Sequence, residues 1–103
     1  MLTGWVGPDF VIGLRDARGK SLNGRRIPAG TYRIRVHDLS PIHNFELKGD
    51  SFDEETDEEW TGAVTWKVTF RRGEEYEFEC DPHHHLMWGS FTVGRRLASR
   101  GRR

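Results

Sequence analysis

The sequence has few sulfur atoms, no net charge and no long apolar run. One cysteine, Cys80, stands among 103 residues, so an internal disulfide is excluded. No run of ~20 apolar residues occurs, which excludes a membrane-spanning helix. Sixteen basic residues balance sixteen acidic ones, so bulk charge gives no support to nucleic-acid binding. Cys80 is therefore an inert buried thiol, a nucleophile or a metal ligand.

Helical periodicity is also missing, and short alternating stretches take its place. Apolar and polar residues alternate in six segments separated by turn residues such as Gly and Asn, which predicts an all-β fold. Six or more short strands in one domain favour a β-sandwich. The alternating segments are residues 10–14, 32–36, 43–47, 64–70, 76–80 and 91–93.

Charge is distributed unevenly despite the balance. Residues 50–59 carry seven carboxylates, and we predict a solvated loop there, which serves either solubility or the electrostatic steering of a basic partner. Residues 95–103 carry five arginines and are predicted to be a disordered basic tail. The domain itself is expected to span residues 1–94.

Most ligand-capable side chains lie in the segment CDPHHHLMWG, residues 80–89. Cys80 continues the inward phase of its strand, and His43 is in phase with the inward residues after it. The loop that follows Cys80 offers His83 and Met87. Two imidazoles, one thiolate and one long axial thioether describe a blue copper site, whereas structural zinc prefers four strong ligands.

These segments carry a resemblance to cupredoxins of the plastocyanin, amicyanin and pseudoazurin kind. PAGTYRIRVHD resembles the strand before the first ligand, PIHNFEL the segment that supplies it, TGAVTWKVTF a central strand, and EFECDPHHHLMWGSFTV the ligand loop with the last strand. The resemblance implies a Greek-key β-sandwich of seven or eight strands in two sheets, with one copper ion. It makes His43, Cys80 and His83 the equatorial ligands and Met87 the axial one.

Residues beside the ligands are assigned by the same resemblance. Asn44 resembles the residue that braces the ligand loop, and Asp81 stands where relatives carry a partner for it. Pro82 removes a backbone donor and stiffens the loop. Around them, His84 and His85 are either solvated or additional metal contacts, and Trp88 either shields the metal or forms a docking surface.

The resemblance implies a one-electron carrier that cycles between Cu(II) and Cu(I), with redox proteins as partners and without an enzymatic activity. A copper carrier or buffer, in which the triplet from His83 to His85 captures the metal, is the main alternative. A Cys-His enzyme and a metal-free interaction module fit the ligand set poorly. No signal peptide is visible, so we expect a cytoplasmic protein or an exported mature domain. The resemblance favours a periplasmic or extracellular monomer.

Overall fold

Nine strands form the framework of the chain in a computed structural model that describes residues 1–94. The only helical element in that part of the chain is a 3-10 turn, Asp81–His83. The strands are β1 (Leu2–Val6), β2 (Ile12–Arg15), β3 (Arg26–Ile27), β4 (Gly30–Asp38), β5 (Glu46–Gly49), β6 (Phe52–Glu55), β7 (Gly62–Phe70), β8 (Glu75–Glu79) and β9 (Trp88–Val93).

Two sheets share these strands. The first has the order β2-β1-β4-β7 and the second the order β3-β9-β8-β5-β6. Most neighbours are antiparallel, but β1 runs parallel to β4, and β3 runs parallel to β9. The predicted all-β cupredoxin-like sandwich is therefore confirmed, with nine strands where seven or eight were expected.

The core lies between the sheets because each long strand turns alternate side chains inward. In β8, Tyr76 and Phe78 are buried while the glutamates between and beside them remain on the outer face. Phe45 stacks on Phe78 from the neighbouring strand end. A Cβ on Gly4 of β1 would lie 2.8 Å from the Phe45 ring, so glycine allows this strand to approach the core closely.

Three details of the sequence prediction were wrong. The segment 50–59 is not wholly a loop, because β6 pairs with β5 within it. β1 was not predicted, since Gly4 leaves its inward face without an apolar side chain and Trp5 places one on its outer face. Phe10 begins the alternating segment 10–14 that was predicted as a strand, but it lies outside a strand and is 54% exposed. The predicted basic tail lies outside the described residues. Within residues 1–94, no helix is long and apolar enough to cross a membrane.

Candidate metal centre

Three ligand-capable atoms converge at one end of the sandwich. The Nδ1 atoms of His43 and His83 are 3.1 Å apart, and the Sγ atom of Cys80 lies 3.7 Å from the first and 3.5 Å from the second. The point equidistant from all three lies about 2.0 Å from each, close to ordinary metal–nitrogen and metal–sulfur bond lengths of ~2.0–2.3 Å. The three atoms therefore fit around one transition-metal ion.

One short loop supplies two of these side chains. Cys80 follows the last residue of β8, and the 3-10 turn brings His83 back beside it. The Cys80 N–H donates to the Met87 carbonyl at 3.0 Å, and the Met87 N–H donates to the His83 carbonyl at 2.9 Å. Pro82 lies within the first turn, where its missing N–H is harmless. This backbone closes the loop and holds the wholly buried Met87 at its far end.

The second imidazole comes from the connection between β4 and β5. His43 lies three residues before β5 and is completely buried. Its Nε2 atom has no hydrogen-bond partner among the described residues, while its Nδ1 atom faces the sulfur. Phe10 packs edge-on against both imidazoles, with ring centroids 5.3 Å from His43 and 5.0 Å from His83. The sequence did not predict that Phe10 packs over the two imidazoles, because Phe10 was counted among the apolar residues of an alternating strand.

Asn44 connects the two chain segments. Its side-chain oxygen accepts the Asp81 N–H at 2.7 Å, and its amide nitrogen donates to the Asp81 carboxylate at 3.2 Å. The same nitrogen donates to Glu55 at 3.1 Å. Because Asp81 directly follows Cys80, these bonds fix the cysteine relative to His43.

The chemical state of the cysteine depends on its surroundings. Burial raises the pKa of the Cys80 thiol, although the backbone N–H groups of Asn44 and His83 act to lower it. The thiol therefore keeps its proton at neutral pH without a metal, and metal binding displaces that proton. The same burial argues against an activated nucleophile, which needs a depressed pKa.

The remaining predicted residues lie away from the three ligand atoms. His84 and His85 are exposed and lie close together, with ring centroids 4.1 Å apart. The His84 Nδ1–H donates to the Asp81 carbonyl at 3.2 Å. Trp88 is exposed on the outer face of the second sheet, opposite Glu79. Among the described residues, His43, Cys80 and His83 form the group whose nitrogen and sulfur atoms lie close enough together to hold one metal ion.

Comparison with known proteins defines the class of this site. The profile of the copper binding proteins of the plastocyanin/azurin family matches residues 24–94. The chain belongs to this family, and its cofactor is copper. The matched range contains His43, Cys80, His83 and Met87.

Solved structures of the copper protein rusticyanin are similar in fold. One covers 89% of this chain and 75% of its own, with 18% sequence identity and a TM-score of 0.61. A solution structure of reduced rusticyanin covers 89% of this chain and 74% of its own, at 18% identity and a TM-score of 0.58. Reduced rusticyanin at 1.9 Å covers 89% and 77%, at 22% identity and a TM-score of 0.53. No curated protein sequence matches this chain.

Proposed function

We propose that this protein is a type 1 copper protein that carries one electron between redox partners. His43, Cys80 and His83 are the proposed equatorial ligands, and Met87 is the proposed axial ligand. The observation that carries the proposal is the convergence of two imidazole nitrogens and one buried thiol around a point about 2.0 Å from each. Such a donor set suits both oxidation states of copper.

The chain's own contribution is a fixed geometry. The copper supplies the change of oxidation state, and the protein limits rearrangement of the ligands around it. Backbone hydrogen bonds close the loop from Cys80 to Met87, and Asn44 ties that loop to the segment that carries His43. A loop fixed at both ends keeps the ligand atoms in one arrangement, and that favours rapid electron exchange.

Electron entry is proposed through the His83 imidazole. His83 is partly exposed, whereas His43 and Cys80 are completely buried. Exposed apolar residues surround this end of the chain, among them Phe10 against the His83 ring and Leu86 in the ligand loop. We propose that a redox protein docks here, close to the imidazole edge.

Copper buffering remains the second candidate, but it has weaker support. It requires His84 and His85 to take part in metal capture, and the described structure does not group them with the other ligand-capable atoms. The His84 Nδ1 atom is already engaged with the Asp81 carbonyl. We infer that the pair is solvated and is not needed to hold copper.

Electron self-exchange separates the two candidates. We expect reversible one-electron voltammetry of the copper-loaded protein and fast self-exchange in NMR line broadening. The variant that combines His84→Ala with His85→Ala should retain both properties. Slow self-exchange, together with rapid release of Cu(I) to a competing chelator that depends on these two histidines, would instead favour a copper buffer.

The setting of the protein is proposed from its family. Members are generally electron carriers, not enzymes, and are generally extracellular or periplasmic. We propose the same for this chain, as a monomer without enzymatic activity. Cell fractionation and the hydrodynamic mass of the copper-loaded protein test these two assignments.

A further inference from the structure

Within residues 1–94, no side chain or backbone group is hydrogen-bonded to the Nε2 atom of the completely buried His43. A ligand histidine usually donates its other ring N–H to a carboxylate, a carbonyl or a water, and that bond fixes the direction of the ring. The position of this imidazole therefore depends on packing and on the backbone at either side of it.

Three buried polar side chains lie around that backbone. Asp38, Ser40 and Thr56 are each at most 6% exposed. Asp38 is the last residue of β4, Ser40 lies in the connection that leads to His43, and Thr56 follows β6. Burial of a polar side chain is costly unless it is hydrogen-bonded. The bonds that these three residues make therefore show what they hold in place.

Each oxygen of the Asp38 carboxylate accepts a hydrogen bond. Its Oδ1 atom accepts the Ser40 N–H at 3.2 Å, and its Oδ2 atom accepts the Thr56 hydroxyl at 2.8 Å. The Thr56 oxygen in turn accepts the Phe45 N–H at 2.8 Å, so its own proton is free for donation to the carboxylate. One carboxylate is thus bonded to the backbone before His43 and, through Thr56, to the backbone after it.

Backbone contacts tighten this arrangement on both sides. The Ser40 carbonyl accepts the His43 N–H at 3.3 Å, and the Thr56 N–H donates to the Phe45 carbonyl at 3.0 Å. A Cβ atom on Gly7, the residue after β1, would lie 2.9 Å from the Ser40 Cβ atom and 3.2 Å from the Cδ2 atom of His43. The turn that carries the ligand is therefore packed closely against the end of β1.

We propose that Asp38 is a positioning residue of the copper centre, and that its carboxylate fixes the His43 imidazole by holding the backbone on both sides of it. The inference rests on the proposed role of His43 as a copper ligand. Asp38 acts on that ligand through Ser40 and Thr56. Loss of a partner that supports a ligand histidine weakens metal binding and changes the geometry at the metal.

The carboxylate is suited to this role because it can accept a hydrogen bond with both oxygens. Burial raises the pKa of Asp38, whereas the Thr56 hydroxyl, the Ser40 N–H and the His43 imidazole act to lower it. An amide has one accepting oxygen, and its nitrogen can only donate. Asp38→Asn therefore keeps the size of the side chain and loses one of the two bonds.

EPR and optical titration of Asp38→Asn and Thr56→Val with Cu(II) tests the proposal. Each variant keeps the approximate size of the side chain and loses bonds on one side of His43. We expect a larger hyperfine splitting than in the unaltered protein and roughly 10–100-fold weaker binding of Cu(II). Thr56→Ser retains the hydroxyl, and its splitting and affinity should equal those of the unaltered protein.

Two control variants separate positioning from a general loss of stability. Thr31→Val removes an exposed hydroxyl that is bonded to Thr69 near the start of β4, and it should leave the copper signal and the affinity unchanged. Phe70→Leu alters a buried residue at the opposite end of the β4–β7 ladder from Asp38. It should lower the melting temperature and leave the hyperfine splitting unchanged.

The outcomes distinguish this inference from the proposed function. If the unaltered protein gives the blue signal, and Asp38→Asn and Thr56→Val keep both its splitting and its affinity, the proposed function stands and the positioning role is refuted. An equal change of splitting in Phe70→Leu would also refute it, since that result describes general destabilisation. If the unaltered protein gives no blue signal, both fail. Circular dichroism shows whether each variant is folded, and if Asp38→Asn does not fold, the comparison of Thr56→Val with Thr56→Ser decides alone.

Discussion

Asn44 is the clearest test of how the loop that carries Cys80 is attached to the rest of the molecule. Its side chain is 1% exposed and makes three hydrogen bonds, two to Asp81 and one to Glu55. Asn44→Ala removes all of them and leaves the Asp81 N–H without its acceptor. We expect the chain to lose stability, because a buried polar group without a partner must forgo its bonds to water.

The magnitude follows from those bonds. A hydrogen bond to a charged group contributes ~1.5–3 kcal/mol and a neutral one ~0.5–1.5 kcal/mol, and the exposed Glu55 carboxylate regains water. Asn44→Ala should therefore lower the free energy of unfolding by about 2–4 kcal/mol. Asn23→Ala is the control, since it removes a single exposed bond in which Asn23 accepts the Ser90 N–H, and it should lower stability by about 0.5–1.5 kcal/mol.

Urea denaturation of both variants in the metal-free state, with EDTA present, measures this difference without a contribution from copper. The dependence of the unfolding free energy on urea should stay constant, since each change is local. If Asn44→Ala loses no more stability than Asn23→Ala, the Asn44 bonds do not hold the loop and the reasoning fails.

Two further predictions concern a close approach and a titration. Gly89→Ala would place a Cβ atom 2.4 Å from the Phe78 ring, so we expect a loss of about 1–3 kcal/mol by thermal unfolding; an unchanged melting temperature would mean that the ring moves freely. In the metal-free chain, the raised pKa of Glu46, about 9 against an ordinary 4.5, means that the folded chain keeps a proton which the unfolded chain releases. Its contribution to stability is therefore complete below pH 4.5 and falls as pH rises to about 9, by at most ~1.4 kcal/mol per pH unit. Glu46→Gln should flatten this slope, and an unchanged slope in denaturation series would refute the assignment.

Much of the fold could be predicted because alternation is strong where strands are long. β7 is the best example, with Val68 and Phe70 buried and Thr69 between them exposed. The same phase argument places Cys80 and His43 inward, and both are fully buried. Periodicity therefore carries information on the direction of side chains as well as on the type of element.

Other features could not be read from the sequence because they depend on contacts between distant segments. The acidic composition of β6 is typical of a loop. The segment forms a strand because it pairs with β5, and the composition does not indicate this pairing. Phe10 alternates like a core residue, yet it lies over two imidazoles from other parts of the chain. The alternation places Glu46 on the outer face of β5. The residue is nevertheless buried, because it lies between β6 and β8, and the sequence alone does not reveal that these strands pair with β5.

Optical and EPR titration of the metal-free protein with Cu(II) is the most direct test of the central claim, that one copper ion is bound by His43, Cys80, His83 and Met87. The account predicts an intense blue thiolate-to-copper band with small hyperfine splitting. This signal should disappear in Cys80→Ser and persist when both His84 and His85 are replaced by alanine. A weak band with ordinary square-planar copper signals, abolished by the double alanine variant and kept in Cys80→Ser, would contradict the account.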